Sequence, residues 1–217
     1  MVFTPPPWVP ELPFDPPDSI PVAEFLNSDK YRPCSLAKSQ NPYTCGLTGK
    51  TYTATEVIQR EDWLARGLAK QLQFDHREGI EWDRVVGLFS LNTIDYVPLT
   101  HAIHRLSGIV TPASAAYGAP ELEYQLRAAG AMALFTCMPL LETCLTAAKK
   151  AGIQESNIFI LPMPGIHKKV PFKTVDDLIE DGKHLPELPP LRWIKGQGAR
   201  QVAYLCFSSG TSGLPVS

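Results

Sequence analysis

The sequence has no excess of charge of either sign, and this absence excludes two broad classes of partner. Twenty lysines and arginines oppose 22 aspartates and glutamates, which gives a formal net charge of -2 at pH 7. Such a balance supplies no basic footprint for nucleic acid or for an anionic membrane surface. No stretch approaches the ~20 consecutive apolar residues that a membrane-spanning helix needs. We therefore expect neither a nucleic-acid partner nor a membrane span.

Paired cysteine motifs and a leader peptide are also missing. The five cysteines include no CxxC pair, so we expect buried free thiols in a reducing compartment. The first seven residues hold no basic region and no unbroken apolar stretch, unlike a secretory signal. We expect an intracellular protein, cytoplasmic or peroxisomal. No targeting signal is visible, because the chain ends on Leu-Pro-Val-Ser and not on a peroxisomal tripeptide such as Ser-Lys-Leu.

Proline, in contrast, is abundant. The 217 residues include 21 prolines, roughly twice the usual share of about 5%. Residues 1–20 are so rich in proline that they favour an extended conformation over a helix or a central strand. We predict that they form an arm anchored on the domain surface by Trp8, Leu12 and Phe14. A ligand for a proline-recognition module is the alternative. Residues 21–217 are then predicted to form part of a single domain.

The rest of the chain alternates between helical and strand patterns. The capping box Thr53–Glu56 and the helical spacing of Val57, Leu64 and Leu68 predict a long helix. Further helices are predicted at residues 94–106, 120–129, 139–150 and 174–182. Short, continuously apolar runs predict strands at residues 84–91, 109–111, 132–137, 157–161 and 201–207. The fold class is therefore α/β, with a mostly parallel βαβ sheet and helices on both faces.

The last predicted strand leads into a loop of glycines and hydroxyl side chains. The loop residues are Ser208, Ser209, Gly210, Thr211, Ser212 and Gly213. Glycines let successive backbone N–H groups point at one anion, and ligands collect at the carboxyl ends of parallel strands. Phosphate is thus the predicted ligand. The pattern GxxxxGK[ST] does not match, and the hydrolase pattern GxSxG fails by one residue. A serine- and glycine-rich surface turn remains an equal alternative from composition alone.

A family resemblance favours the phosphate interpretation. Residues Tyr204–Pro215 resemble the phosphate-binding signature of adenylate-forming acid–CoA ligases, the AMP-binding enzymes. Segments Asn41–Gly46, Leu91–Asp95, Gly108–Ser114 and Glu123–Leu126 fall in the order and spacing of that family. The chain looks most like the fungal 4-coumarate–CoA ligase and phenylacetyl–CoA ligase group.

The resemblance implies a fold, an activity and cofactors. It implies the N-terminal subdomain of an acyl-CoA synthetase-like fold, cut at the phosphate loop, without the rest of the adenylation domain or the C-terminal lid domain. The implied full-length enzyme uses ATP, Mg²⁺ and coenzyme A to convert a carboxylic acid, such as 4-coumarate, phenylacetate or a fatty acid, into its thioester. Phosphate contacts would come from Ser208, Ser209, Gly210, Thr211, Ser212 and Gly213.

Two consequences for this chain follow from the same resemblance. The family's catalytic residues lie beyond Ser217, so the 217-residue chain is expected to be inactive alone, to bind ATP or polyphosphate weakly at most, or to self-associate. The family's loop continues with Pro-Lys-Gly, whereas this chain has Pro215-Val216-Ser217. The loop therefore lacks a lysine that would add positive charge near the phosphates.

Two other clusters invite a metal-site interpretation, and we predict none. His101 and His104 stand three residues apart on a predicted helix, but no third ligand accompanies them. We expect both to be polar positions on the helix surface. The acidic residues Asp176, Asp177, Glu180 and Asp181 are better explained as a solvated helix face.

Overall fold

The computed structural model describes residues 6–9, 14–32, 35–40, 43–75, 77–166 and 169–208, and the structural statements below concern these residues. The helices are α1 (Val22–Asn27), α2 (Ala54–Leu72), α3 (Tyr96–Arg105), α4 (Ala119–Ala129), α5 (Leu141–Ala151) and α6 (Val175–Lys183). The strands are β1 (Tyr43–Thr44), β2 (Thr51–Tyr52), β3 (Val85–Phe89), β4 (Ile109–Pro112), β5 (Ala133–Thr136) and β6 (Ile158–Ile160).

Helix α2 begins where its sequence predicts. The hydroxyl of Thr53 accepts a hydrogen bond from the backbone N–H of Glu56, and the Glu56 carboxylate accepts one from the Thr53 N–H. This reciprocal capping satisfies N–H groups that the first helical turn leaves unpaired. Helix α6 uses the same device with Thr174 and Asp177. Both helix starts are thus confirmed.

Four parallel strands form the main sheet, in the order β4-β3-β5-β6. Strand β3 lies at the centre, with Val86 paired to Val110 on one side and to Ala133 on the other. A helix lies between each strand of this sheet and the next along the chain, because parallel strands need a long crossover connection. Strands β1 and β2 form a separate antiparallel pair before the first long helix; the sequence interpretation did not predict this hairpin or α1.

Helices cover both faces of the parallel sheet. On one face, Val86, Leu88 and Phe135 pack with apolar residues of α2, α3 and α6. On the other face, Phe89 and Leu134 pack with α4 and α5. Because successive strand residues point to opposite faces, strands buried between two helical layers are apolar along their whole length. The predicted α/β architecture is confirmed.

The turn between α3 and β4 has its left-handed residue at an unexpected position. A glycine such as Gly108, just past the helix predicted at residues 94–106, is the usual left-handed residue, but here that residue is Ser107, at φ 55°. Gly108 instead allows its backbone to pack closely against the backbone of Arg84, since a Cβ there would lie 2.9 Å from the carbonyl oxygen of Arg84. The backbone N–H of Gly108 still closes the helix by donating to Ile103 O at 3.0 Å.

The last predicted strand, residues 201–207, is wrong as a continuous buried strand. Its pairing reduces to a single parallel bridge between Val110 and Tyr204. Burial alternates along the segment, so that Tyr204, Cys206 and Ser208 are exposed and Leu205 and Phe207 are half-buried. No strand pairs with the far side of this segment within the described residues, and an edge segment covered on one face has this alternating exposure.

Of the three predicted anchors of the N-terminal arm, the structure bears out Phe14 but not Trp8. Phe14 contacts the rings of Phe25 and Tyr31, with centroids 6.3 and 5.6 Å apart. Trp8 is 81% exposed and anchors nothing, and Leu12 lies outside the described residues.

Among the four cysteines that the structure describes, all are free: Cys137 and Cys144 are buried, Cys45 is partly buried and Cys206 is exposed.

No described helix combines the length and the apolar character that crossing a bilayer requires.

Candidate functional site

The segment that leads to the predicted phosphate loop lies beside β4. The backbone N–H of Val110 donates to Ala203 O at 3.0 Å, and the N–H of Leu205 donates to Val110 O at 2.9 Å. Because the pairing is parallel, the segment runs from the amino edge of the sheet to its carboxyl edge. Ser208 therefore emerges, exposed, at the carboxyl edge. Ligands of open parallel sheets bind at this edge.

The other five predicted phosphate contacts are Ser209, Gly210, Thr211, Ser212 and Gly213, and they lie outside the described residues. Their roles remain predictions from the sequence.

Side chains from two neighbouring elements hold this segment where ladder hydrogen bonds are few. The hydroxyl of Thr111 donates to Leu205 O at 3.0 Å, and the side-chain amide of Gln125 donates to the same Thr111 hydroxyl at 2.8 Å. Gln125 also donates to Pro112 O at 3.1 Å. Thr111 and Gln125 are both buried. Buried hydrogen bonds of this kind fix geometry, because breaking one leaves a polar group without a partner.

Thr111 and Gln125 lie in two of the segments that resemble the family, Gly108–Ser114 and Glu123–Leu126, but the sequence alone predicts this role for neither. The sequence feature that could have indicated it is a glutamine at one of the core-facing positions of α4. A buried amide has to find hydrogen-bond partners, and the carbonyl groups at the end of β4 are within its reach.

Removing the Thr111 hydroxyl tests whether these two buried hydrogen bonds stabilise the protein. We expect Thr111→Val to lower the free energy of unfolding by about 1–3 kcal/mol, because the nearly isosteric change removes a donor to Leu205 O and an acceptor for Gln125. Urea unfolding monitored by circular dichroism measures the difference. The same substitution at Thr55, which is exposed on α2, is the matched control. Equal free energies of unfolding for the two variants would contradict a stabilising role of the Thr111 hydrogen bonds.

His104 holds the start of the same segment. Its Nε2 lies 3.0 Å from Ala203 O, and since a carbonyl oxygen only accepts, Nε2 carries the hydrogen. The ring meets Tyr204 edge-on at 4.8 Å between centroids, and the Tyr204 hydroxyl lies 3.0 Å from the hydroxyl of Thr100. Burial lowers the pKa of His104 to about 4, so the ring is neutral at physiological pH.

This lowered pKa predicts how stability depends on pH. The folded pKa of His104 is about 4 against an ordinary value of 6.5, so between these values the unfolded chain binds a proton that the folded chain does not. Its stability contribution is complete above pH 6.5 and is lost as the pH falls to 4, by up to about 3 kcal/mol. Urea unfolding of His104→Gln across this pH range should show a flatter profile. An unchanged slope in His104→Gln would contradict this assignment.

The two histidines are not on the helix surface, and that expectation is wrong. His101 and His104 are both buried, and His101 Nδ1 lies 2.7 Å from a carboxylate oxygen of Glu61. The other oxygen of Glu61 accepts from the Asn27 side chain at 2.5 Å. Helix α3 thus turns its polar His101 towards α1 and α2. Within the described ranges, no group of three or more histidine, cysteine, aspartate or glutamate residues is arranged to hold a metal ion.

A cavity of about 600 Å³ opens at the same carboxyl edge, beside the β1–β2 hairpin. Its walls come from residues 43–50, from residues 92–95 after β3 and from residues 162–164 after β6. Arg60 fixes one side, since it donates to Asp95 and Asp176 at 3.0 Å each. Burial raises the pKa of Asp95, and Arg60 opposes this shift. The four acidic residues of α6 are all exposed, as predicted. They are not free of contacts, because Asp177 caps the helix and Glu180 and Asp181 pair with lysines.

The sequence model of the AMP-binding enzyme family matches residues 38–215. An acyl-CoA ligase of Emericella nidulans is 38% identical over 218 residues, covering 98% of this chain and 39% of that protein. An acyl-CoA ligase of Alternaria alternata is 39% identical, covering 98% of this chain and 37% of that protein. A 4-coumarate–CoA ligase of Pinus taeda is more distant, at 28% identity over 89% of this chain and 30% of that protein.

Solved structures share the fold. An anthranilate–CoA ligase in complex with anthranoyl-AMP superposes with a TM-score of 0.68 at 20% identity, over 92% of this chain and 34% of that one. A luciferase-like enzyme of the mealworm Zophobas morio gives 0.66 at 22% identity, over 93% and 43%. The chain spans about two fifths of the length of the curated relatives it matches. From the family match over most of its residues, we conclude that this chain belongs to the AMP-binding enzyme family.

Proposed function

We propose that the chain is the N-terminal, phosphate-binding part of an ATP-dependent carboxylic acid–CoA ligase. Such an enzyme forms an acyl-adenylate and then an acyl-CoA thioester, from an aromatic acid such as 4-coumarate or phenylacetate or from a fatty acid. The observation that carries the proposal is the path of residues 203–208, which brings Ser208 to the carboxyl edge of the sheet. Relatives named acyl-CoA ligases support the reaction type.

The chemistry of the loop fits a polyphosphate. Residues 208–213 offer four hydroxyl groups and two glycines and no carboxylate. Hydroxyl and backbone N–H donors held in place would stabilise negative charge that builds up on phosphate oxygens in the transition state. Thr111 and His104 would not contact the phosphates. They would fix residues 203–208, which lead into the loop.

The described residues suggest no particular contact for Mg²⁺ or for coenzyme A. Mg²⁺ would share the charge of the phosphates, and coenzyme A would supply the thiol that receives the acyl group. The described part of the chain holds no cluster for a metal ion. We therefore assign the metal, the acid and coenzyme A to the whole enzyme.

A chimaeric enzyme tests the proposal. Residues 1–215 of this chain would replace the equivalent residues of the Emericella nidulans acyl-CoA ligase, which aligns over 98% of this chain. ATP–pyrophosphate exchange is then measured with 4-coumaric, phenylacetic and medium-chain fatty acids. We expect exchange that depends on at least one acid, because the chain supplies the phosphate loop.

The unaltered Emericella nidulans enzyme and a chimaera without acid are the controls. A folded, monomeric chimaera that exchanges no pyrophosphate with any acid, while the unaltered enzyme does, would refute the proposal.

A second, non-catalytic role has its own supporting observation. We propose that the 217-residue chain turns over nothing alone and self-associates, since Tyr204 is 42% exposed on an edge without a further strand partner among the described residues. Exposed edges and apolar patches promote association. Sedimentation velocity decides the point: concentration-dependent oligomers support this role, and a monomer at every concentration contradicts it.

A further inference from the structure

A pocket of about 430 Å³ lies at the amino edge of the sheet, away from the predicted phosphate loop. Arg84, which immediately precedes β3, and Ser107, which lies just before β4, both line it. The five residues of β3 span roughly 16 Å, and Ser208 emerges at the other end of the strands. A molecule in this pocket would therefore be remote from the loop.

The guanidinium group of Arg84 is buried and held in place by one of its nitrogens. The residue is only 5% exposed. Its Nη1 donates to Asp75 O at 3.1 Å and to Glu78 O at 2.7 Å. The same turn lies against the group at Gly79, where a Cβ would be 3.8 Å from Nη1. Residues 75–79 thus fix the orientation of the guanidinium.

Another nitrogen of Arg84 is available to a ligand. Nε is shielded from solvent and has no partner among the described residues. Nη2 has no hydrogen-bond partner among them either, but it does not belong to the shielded atoms. Because the rest of the side chain is buried and Arg84 lines the pocket, Nη2 is the donor that this residue presents to the pocket.

The positive charge of Arg84 has no counterion in the described part of the chain. Arg77 and Arg192 line the same pocket, and each of them pairs with a carboxylate, whereas Arg84 forms no ion pair there. Burial lowers the pKa of Arg84, and the carboxylates near it oppose this shift only in part. A buried charge is costly unless it is paired. An anion bound in the pocket would supply the pair.

The pocket combines this donor with apolar side chains. Ile80 is 56% exposed, and it lines the pocket together with Pro189, Pro190 and Trp193. Guanidinium N–H groups bind carboxylate and phosphate oxygens more strongly than neutral acceptors, and the volume lies within the range of about 300–1,000 Å³ of small-molecule sites. We propose that this pocket is a binding site for a small monoanion with an apolar body, such as an aromatic carboxylate.

Charge argues for a single negative charge on the ligand. Of the three arginines that line the pocket, Arg84 alone lacks a carboxylate partner among the described residues, and Glu81 adds a negative charge to the lining. A phosphate dianion would bring one charge more than the pocket compensates. The inference goes beyond the proposed function, since it concerns the edge of the sheet opposite the loop.

Ligand-observed NMR on the full 217-residue chain at low salt tests the site. The probes are benzoate, benzamide, benzylamine and phenyl phosphate, which share a ring and differ in charge. We expect benzoate to bind with a dissociation constant of about 1–5 mM, as a molecule of its size allows. Benzamide and benzylamine should bind at least about tenfold more weakly, because neither brings a negative charge to the guanidinium. Phenyl phosphate should also bind more weakly than benzoate, because its second charge is not compensated.

Two variants and a control locate the binding. Arg84→Met removes the charge and keeps an unbranched side chain, so we expect the benzoate affinity to fall at least about tenfold; circular dichroism verifies the fold. Ile80→Asp places a carboxylate at an exposed position of the lining, which the fold tolerates, and should weaken benzoate at least about fivefold by repulsion. Ile166→Asp, at another exposed isoleucine outside this pocket, should leave the affinity within about twofold.

Several outcomes would overturn the proposal. These are equal binding of benzoate and benzamide, tighter binding of phenyl phosphate, equal benzoate affinities in Ile80→Asp and Ile166→Asp, or no benzoate binding up to about 20 mM. If Arg84→Met does not fold, the pair of aspartate variants decides the point. None of these results bears on pyrophosphate exchange by the chimaera, so this proposal and the proposed function fail separately.

Discussion

Replacing Gly182 with alanine is expected to unfold the protein or to lower its free energy of unfolding by at least about 3 kcal/mol. A Cβ at Gly182 would overlap the backbone carbonyl of Trp63 on α2. Gly67 on α2 stands in the same relation to the carbonyl of Leu178 on α6. The two helices thus touch backbone to backbone, and a methyl group has to separate them.

Urea unfolding monitored by circular dichroism measures this effect. Alanine is favoured over glycine within a helix by about 1 kcal/mol, so propensity alone predicts the opposite sign. Gly46→Ala is the control, because no atom of a described residue lies within 4 Å of a Cβ at Gly46. An unchanged or increased stability in Gly182→Ala would contradict the close packing of α2 on α6.

Removing hydroxyl groups from the loop is expected to have the largest effect on activity. In the chimaera, the double variant Ser209→Ala/Thr211→Val should lower acid-dependent pyrophosphate exchange about 100-fold, since each preorganised donor to developing charge contributes a factor of about 10 or more. Valine keeps the shape of threonine, and alanine removes only the hydroxyl of serine. The loss therefore reports donors and not bulk.

The control for this double variant has the same two substitutions at exposed positions elsewhere. Ser156→Ala/Thr55→Val alters residues outside the loop and should leave the exchange rate within about twofold, because exposed polar substitutions change little. If both double variants have the same rate, the loop is a surface turn and not a phosphate site.

The sequence predicted the elements whose signals are local. Helix α2 has a capping box and an apolar stripe, and both are present in the structure. The strands β3, β5 and β6 are apolar throughout, because helices cover both faces of the sheet. These patterns need no knowledge of distant partners, so the layered parallel architecture could be predicted, apart from the strand expected at residues 201–207.

The features that the sequence did not predict depend on contacts between distant segments. His101 and His104 are polar and on a helix, which favours the surface, but Glu61 and Ala203 provide partners that allow burial. Residues 201–207 are apolar enough for a central strand. They lie at an edge, held by Thr111 and His104 in place of a second ladder. Hydrogen bonds across about 100 residues have no local signature.

Titration of the ¹⁵N-labelled chain with inorganic pyrophosphate tests the central claim most directly, namely that the loop that begins at Ser208 binds phosphate. We predict that the largest amide shifts fall on Ser208–Gly213, with a dissociation constant of about 1–10 mM, and that Ser209→Ala/Thr211→Val abolishes them. Shifts that map to the amino edge of the sheet, or no shifts at about 20 mM pyrophosphate, would contradict the account.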